Sequence, residues 1–171
     1  MAAGTFVSLK SAAAASAAEI DREVKSTLED LYRQSASAKA MGQKAKAILV
    51  FPSITKGGFI VGGQYGEGAL LKAGKTAGYY NTIQVSYGLQ AGVQTYGYVL
   101  FFMTESAMSY IDKSDGWEVG VGPSIVVVDV GAASSATTTT VQSEIYAFFF
   151  DQQGLMAGLG LQGTKITKVD K

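Results

Sequence analysis

Between Lys39 and Lys75 the chain carries six lysines, Lys39, Lys44, Lys46, Lys56, Lys72 and Lys75, against one acid, Glu67. The 171 residues are otherwise net acidic, because the whole sums to a formal charge of zero. A local basic block in a neutral protein is suited to anionic surfaces, and Lys44, Lys46, Lys56, Lys72 and Lys75 are the candidate contacts provided the fold gathers them. The plainer alternative is a solvated face, since Lys44 and Lys46 lie beside a strand start and Lys72 and Lys75 flank a turn. The carboxylates Glu67, Glu105, Glu118, Asp129, Glu144 and Asp151 could supply an acid/base pair, but no local spacing couples two of them. The chain is therefore expected to be a non-enzyme.

Absent residue types narrow the chemistry further. With no Cys and no His there is no disulfide framework, no thiol or imidazole nucleophile and no ordinary zinc site, so no metal or other cofactor is expected. Ala69 to Thr76 satisfies a relaxed phosphate-loop pattern with Ala in place of the first Gly. A phosphate loop opens a helix, whereas the following Tyr79 to Tyr87 is strand-like, so no nucleotide is expected. Tyr79, Tyr80, Tyr87, Tyr96 and Tyr98 resemble a base-stacking platform, yet strand aromatics serve cross-strand packing, and neutrality argues against nucleic acid.

The elements that must position the lysines read as a mainly β domain following helices. Ile20, Val24, Leu28, Leu31 and Tyr32 recur at helical spacing, predicting an amphipathic helix over Ala18 to Ser35, with a frayed lead or tether before it. Five acids against three bases between Glu19 and Arg33 favour packing of this helix onto the domain over lying on a membrane. A shorter helix, Ser37 to Lys44, ends near Gly42. Ile48 to Phe51 is a buried strand interrupted by Pro52 and Ser53; Gly57-Gly58 is a turn, and Gly62, Gly63, Gly66 and Gly68 mark bends in the next strand.

Downstream, Ile83 to Gln94 alternates apolar and polar residues with Gly88 as a divider, and Tyr96 to Met103 is apolar on both faces. Thr104 caps a short helix from Glu105 to Ile111. Trp117 to Val121, Ile125 to Val130, Thr137 to Phe150 and Leu155 to Leu161 follow as strands, and Lys165 to Val169 is a closing edge strand guarded by Lys165 and Lys168. The expected fold is one mainly β (α+β) domain over residues 1–171: a strongly curved antiparallel sheet or small barrel with the N-terminal helices packed on it. A small outer-membrane barrel of about eight strands is the alternative.

Read in order, Ala45-Lys46-Ala47-Ile48-Leu49-Val50-Phe51-Pro52, Thr55-Lys56-Gly57-Gly58-Phe59 and Gly62-Gly63-Gln64-Tyr65-Gly66-Glu67-Gly68-Ala69-Leu70-Leu71 resemble the SYLF domain. Gly78-Tyr79-Tyr80, Phe102-Met103-Thr104, Gly116 to Gly120, Thr138-Thr139-Thr140 and Gly154 to Ala157 continue the family's order, so the resemblance covers roughly residues 36–170. It implies a phospholipid- and phosphoinositide-binding module, some of whose fungal members bind actin. With no SH3 or FYVE sequence the chain resembles the stand-alone bacterial form. The expectation that follows is a non-catalytic module for anionic phospholipid membranes, using the five candidate lysines and apolar surface around Phe101, Phe102 and Phe148 to Phe150. It is expected in a bacterial envelope, periplasmic and tethered by a lipid anchor outside this chain. A protein-interaction or envelope-structural module is the alternative, with actin an unlikely native partner for a bacterial chain.

Overall fold

The computed structural model describes residues 15–56, 63–85, 95–112, 116–129, 143–150, 161 and 163–171. Among the described residues three helices, α1 (Ala17–Gln34), α2 (Ala36–Lys44) and α3 (Glu105–Met108), accompany eight strands: β1 (Ala47–Lys56), β2 (Gly63–Lys72), β3 (Lys75–Val85), β4 (Thr95–Phe102), β5 (Trp117–Glu118), β6 (Ile125–Asp129), β7 (Ile145–Phe150) and β8 (Lys165–Val169). They form one sheet in the order β5-β8-β3-β2-β1-β4-β7-β6. All neighbours are antiparallel except β6 and β7, which run parallel.

The sheet is an open, strongly curled half-barrel. Two contacts across its concave side measure the curl. Thr82 of β3 and Tyr98 of β4, three strands apart in the order, share a buried hydroxyl–hydroxyl hydrogen bond of 2.7 Å. Trp117 of β5 lies 6.1 Å, centroid to centroid, from Phe102 of β4. An outer-membrane barrel instead closes its sheet and turns an apolar outer face to lipid. Here helices occupy the convex face, so the strand pattern serves a covered half-barrel.

Strand residues alternate between two cores, as the pleat requires. Leu49, Phe51, Tyr98, Leu100, Phe102, Ile145, Ala147 and Phe149 fill the concave side, with Ala107 and Ile111 closing it from the α3 segment. Val50, Ala69, Val99, Phe101, Tyr146 and Phe148 face outward, where Ile20, Val24, Leu28 and Leu31 of α1 and Ala38 and Met41 of α2 cover them. Strands buried on both faces lose the polar alternation of a one-sided sheet. Phe101, Phe102, Phe148 and Phe149 are core residues, which corrects the expectation of available apolar surface there; the Phe150 side chain lies outside the described residues.

Local signals place the helices. Ser16 caps α1 by accepting from the Glu19 amide at 3.2 Å, while the Glu19 carboxylate accepts from the Ser16 amide at 3.0 Å. The bond from the Ser16 backbone first, and the nearby Ser16 hydroxyl second, hold the Glu19 carboxyl below its ordinary pKa. Ser35 closes α1 and opens α2, its hydroxyl accepting from the Ala38 amide. Gly42 is inside α2 rather than at its end: a Cβ there would meet the Tyr32 ring, so the glycine lets α1 and α2 approach.

Pro52 does not interrupt β1. The strand continues to Lys56, and its register with both neighbours shifts across Phe51 to Ser53, a bulge that accommodates a residue with no N–H in a central strand. Gly68 packs beneath this bulge, where a Cβ would lie 1.9 Å from the Val50 carbonyl oxygen. β8 is not an edge strand, as the sequence suggested; Trp117 and Glu118 of β5 pair with Ile166 and Lys165, placing β8 between β3 and β5. The Gly57-Gly58 turn, the Gly88 divider, the segment 130–142 and the strand expected over 155–160 lie outside the described residues.

Candidate functional site

The helices and the β2–β3 hairpin bring most of the basic block to one end of the half-barrel. Ile48 of β1 pairs with Leu71 of β2, so the start of β1 lies beside the end of β2. Lys72 and Lys75 face each other as the closing pair of a two-residue hairpin. Its central residues, Ala73 at φ 53° and Gly74 at φ 79°, are both left-handed, the pattern of a type I′ turn. α2 delivers Lys44 in its last turn, where an ammonium complements the helix dipole, and Lys46 follows two residues later. Lys46 donates its backbone amide to the Phe102 carbonyl at 2.7 Å, fixing the strand entry.

Between these elements is a groove of about 330 Å³ lined by Leu28 and Tyr32 of α1, Lys39, Gly42 and Gln43 of α2, Ala45 to Ile48, Leu71, Ala73 and Gly74. Burial raises the Tyr32 hydroxyl above its ordinary pKa. Lys39, Lys44, Lys46, Lys72 and Lys75 are all exposed. No Asp or Glu occurs between Asp30 and Glu67, or between Glu67 and Glu105, so α2, β1 and the β2–β3 hairpin carry no acid but Glu67, and the compensating carboxylates at this end belong to α1. Asp21 is an acid facing the hairpin, accepting from the hydroxyls of Thr76 at 2.9 Å and Tyr79 at 3.0 Å.

The structure thus brings Lys44, Lys46, Lys72 and Lys75 to one end and adds Lys39, which the sequence reading placed in the basic block but not among the contacts. Lys56 is elsewhere. It ends β1 opposite Gln64, nine residues along the strand from Ala47 and about 30 Å away at the usual strand rise; its side chain lies outside the described residues. The groove itself was hidden because Tyr32 and Gly42 meet only after α1 and α2 fold back on one another. Their paired periodicities were the available signal.

Glu67, the acid within the basic block, is built into the convex face. Its carboxylate pairs with Lys171 at 2.9 Å, each side chain 12% exposed, and accepts from the Tyr65 hydroxyl at 3.0 Å and the Ala15 amide at 3.2 Å. Lys171 also donates to the Ala15 carbonyl. Burial first, then Glu67, pushes the Tyr65 hydroxyl up to about 12. This cluster ties three distant segments together and leaves Glu67 committed to structure. Ala69 to Thr76 is the β2–β3 hairpin with no helix after Lys75, the β context the sequence reading assigned to its phosphate-loop match. Among the described residues no group of three or more acids could hold a metal ion, and no helix is long and apolar enough to cross a membrane.

Residues 83–171, more than half of the chain, match the family model described as Ysc84, Las17-binding protein actin regulator. The chain belongs to the Ysc84 (SYLF) family. The match begins within β3 and takes in β4 to β8, while the basic end and its groove are built from residues 28–75, before it. The resemblance of residues 36–82 to SYLF motifs therefore rests on the sequence order given above. Comparison with curated proteins gave no match.

Proposed function

We propose that this Ysc84-family domain is a non-catalytic module that docks on anionic phospholipid surfaces through the end of the half-barrel carrying Lys39, Lys44, Lys46, Lys72 and Lys75. The observation that supports this most is the convergence of β1, α2 and the β2–β3 hairpin, which exposes five ammonium groups from segments nearly free of acids. A lysine near an anionic membrane contributes about 1 kcal/mol. Five would give at most about 5 kcal/mol, an affinity close to the millimolar range. Such a surface needs a second contribution for stable attachment, either apolar insertion or a lipid anchor. We place the domain in a bacterial envelope, on the periplasmic side, on its resemblance to the stand-alone bacterial form of the family.

A second reading, a protein-binding module, is favoured by the family description as a Las17-binding actin regulator. Val121 and Val127, exposed at 57% and 38%, lie after β5 and on the terminal strand β6 and would suit a protein partner. Flotation with vesicles of phosphatidylglycerol and phosphatidylcholine, run beside co-sedimentation with actin filaments, separates the two. Flotation that needs the anionic lipid supports the membrane reading; pelleting with filaments and no flotation supports the other and ends the first.

A further inference from the structure

The groove combines an apolar floor with cationic flanks. Ile48 and Leu71, directly paired, point outward and are only partly buried because α1 and α2 leave the sheet uncovered between them. Leu28 and Tyr32 form one wall, Ala45 another, and the Ala73-Gly74 turn closes one end. Lys39 and Lys46 are the charged side chains among the described lining residues, none of which is an acid. At about 330 Å³ the space lies at the low end of the roughly 300–1,000 Å³ usual for small-molecule sites, which suits one chain better than a two-chain lipid.

We propose that the groove holds the hydrocarbon chain of a single-chain anionic lipid, with its acidic head between the ammonium groups of Lys39 and Lys46. The inference rests on the membrane reading for the class of its ligand, and it names a site for a free single-chain lipid, distinct from surface attraction of the domain to a bilayer. Charge complementarity selects the occupant: two cations and no acid disfavour a cationic amphiphile, while the paired aliphatic floor has nothing to offer a hydrophilic anion. Buried methylenes supply the binding and the lysines supply the choice of head.

The test uses dodecanoate below its micelle concentration as probe, with butyrate, dodecyl maltoside and dodecyltrimethylammonium as comparisons, followed by calorimetry and by amide shifts at Lys39, Lys46, Ile48, Leu71 and Gly74. Saturable 1:1 binding of dodecanoate, with the other three at least ten-fold weaker, is expected. Lys39→Gln with Lys46→Gln should weaken dodecanoate about 25-fold, two lysines each contributing about five-fold. Ala45→Trp, which keeps every lysine, should block dodecanoate and leave vesicle flotation through the lysines intact; circular dichroism and melting confirm the fold of each variant. If Ala45→Trp does not fold, Leu71→Gln serves for the same comparison. Flotation of the wild type without saturable dodecanoate binding would overturn the groove and leave the membrane reading standing. Equal binding of dodecyl maltoside would overturn the role of Lys39 and Lys46. Saturable dodecanoate binding without flotation would support the groove and remove the membrane reading.

Discussion

Gly68→Ala should be among the most damaging single-methyl additions in this protein. The added Cβ would sit 1.9 Å from the Val50 carbonyl oxygen, 2.8 Å from the Val50 carbonyl carbon and 2.9 Å from Phe51 Cδ1. Two of these are backbone atoms of a central strand at its bulge, bounded by β2 and β4, so relief requires β1 itself to move. Ordinary overpacking costs about 1–3 kcal/mol, and an obstacle of this depth against main chain belongs at or beyond the upper end. Restricting the unfolded chain by replacing Gly returns about 0.4–1 kcal/mol. A net loss of about 2–3 kcal/mol remains, which for a domain of this size lowers Tm by roughly 5–12 °C. Gly74→Ala is the contrasting control: nothing lies within 4 Å of its Cβ, but its φ of 79° charges a side chain about 1–2 kcal/mol of conformational strain. Calorimetric or urea melts of the two variants measure the difference. A Gly68→Ala protein within about 0.5 kcal/mol of wild type would refute the close packing of β2 beneath the β1 bulge.

Other expectations follow from single sites. Ala73→Asn relieves a left-handed alanine in the I′ turn and should raise stability by about 0.5–1 kcal/mol, seen as a Tm increase of a few degrees. Glu67→Gln retains an acceptor for Tyr65 and Ala15 but leaves the largely covered Lys171 ammonium unpaired; a loss of about 2 kcal/mol and faster amide exchange at the start of α1 are expected. Tyr65 and Tyr80 are pushed up to about 12, chiefly by burial, so the unfolded chain ionises these groups first. Their contribution to stability is fully present below pH 10 and is lost as pH rises from 10 towards 12, and an ultraviolet titration should show two late tyrosines that disappear in Tyr65→Phe and Tyr80→Phe.

Where one residue's pattern sufficed, the sequence was readable. The 3.6-residue recurrence of Ile20, Val24, Leu28 and Leu31 marks the face of α1 that is buried, and Thr104 begins α3. Apolar runs at residues 96–103 and 145–149 become strands with a core on each side, since the two-fold pleat sends Phe101 and Phe102, like Phe148 and Phe149, to opposite faces. What depends on chain reversal was less legible. Pro52 reads as a break because the pairing partners that turn it into a bulge lie at Gly66 to Ala69 and Tyr96 to Tyr98. Lys165 and Lys168 suggest an edge because the cover comes from two residues of β5, too short for any periodic signal, which pair with two of the five residues of β8. The basic block is a property of sequence, but its division into an assembled end and a remote Lys56 follows from the length of β1.

The central claim is that assembled lysines, rather than basic composition, attach this domain to anionic membranes. Its most direct test is the vesicle affinity of Lys44→Gln/Lys46→Gln/Lys72→Gln/Lys75→Gln set against Lys56→Gln, each with the wild-type melting curve, at low salt and about 0.5 M salt. The four replacements remove at most about 4 kcal/mol, approaching a thousand-fold loss on phosphatidylglycerol vesicles at low salt, whereas Lys56→Gln, far down β1, should stay close to wild type. Raising the salt should weaken wild-type binding and leave the four-fold variant little changed. Wild-type binding by the four-fold variant, or an equal loss in Lys56→Gln, would contradict the account.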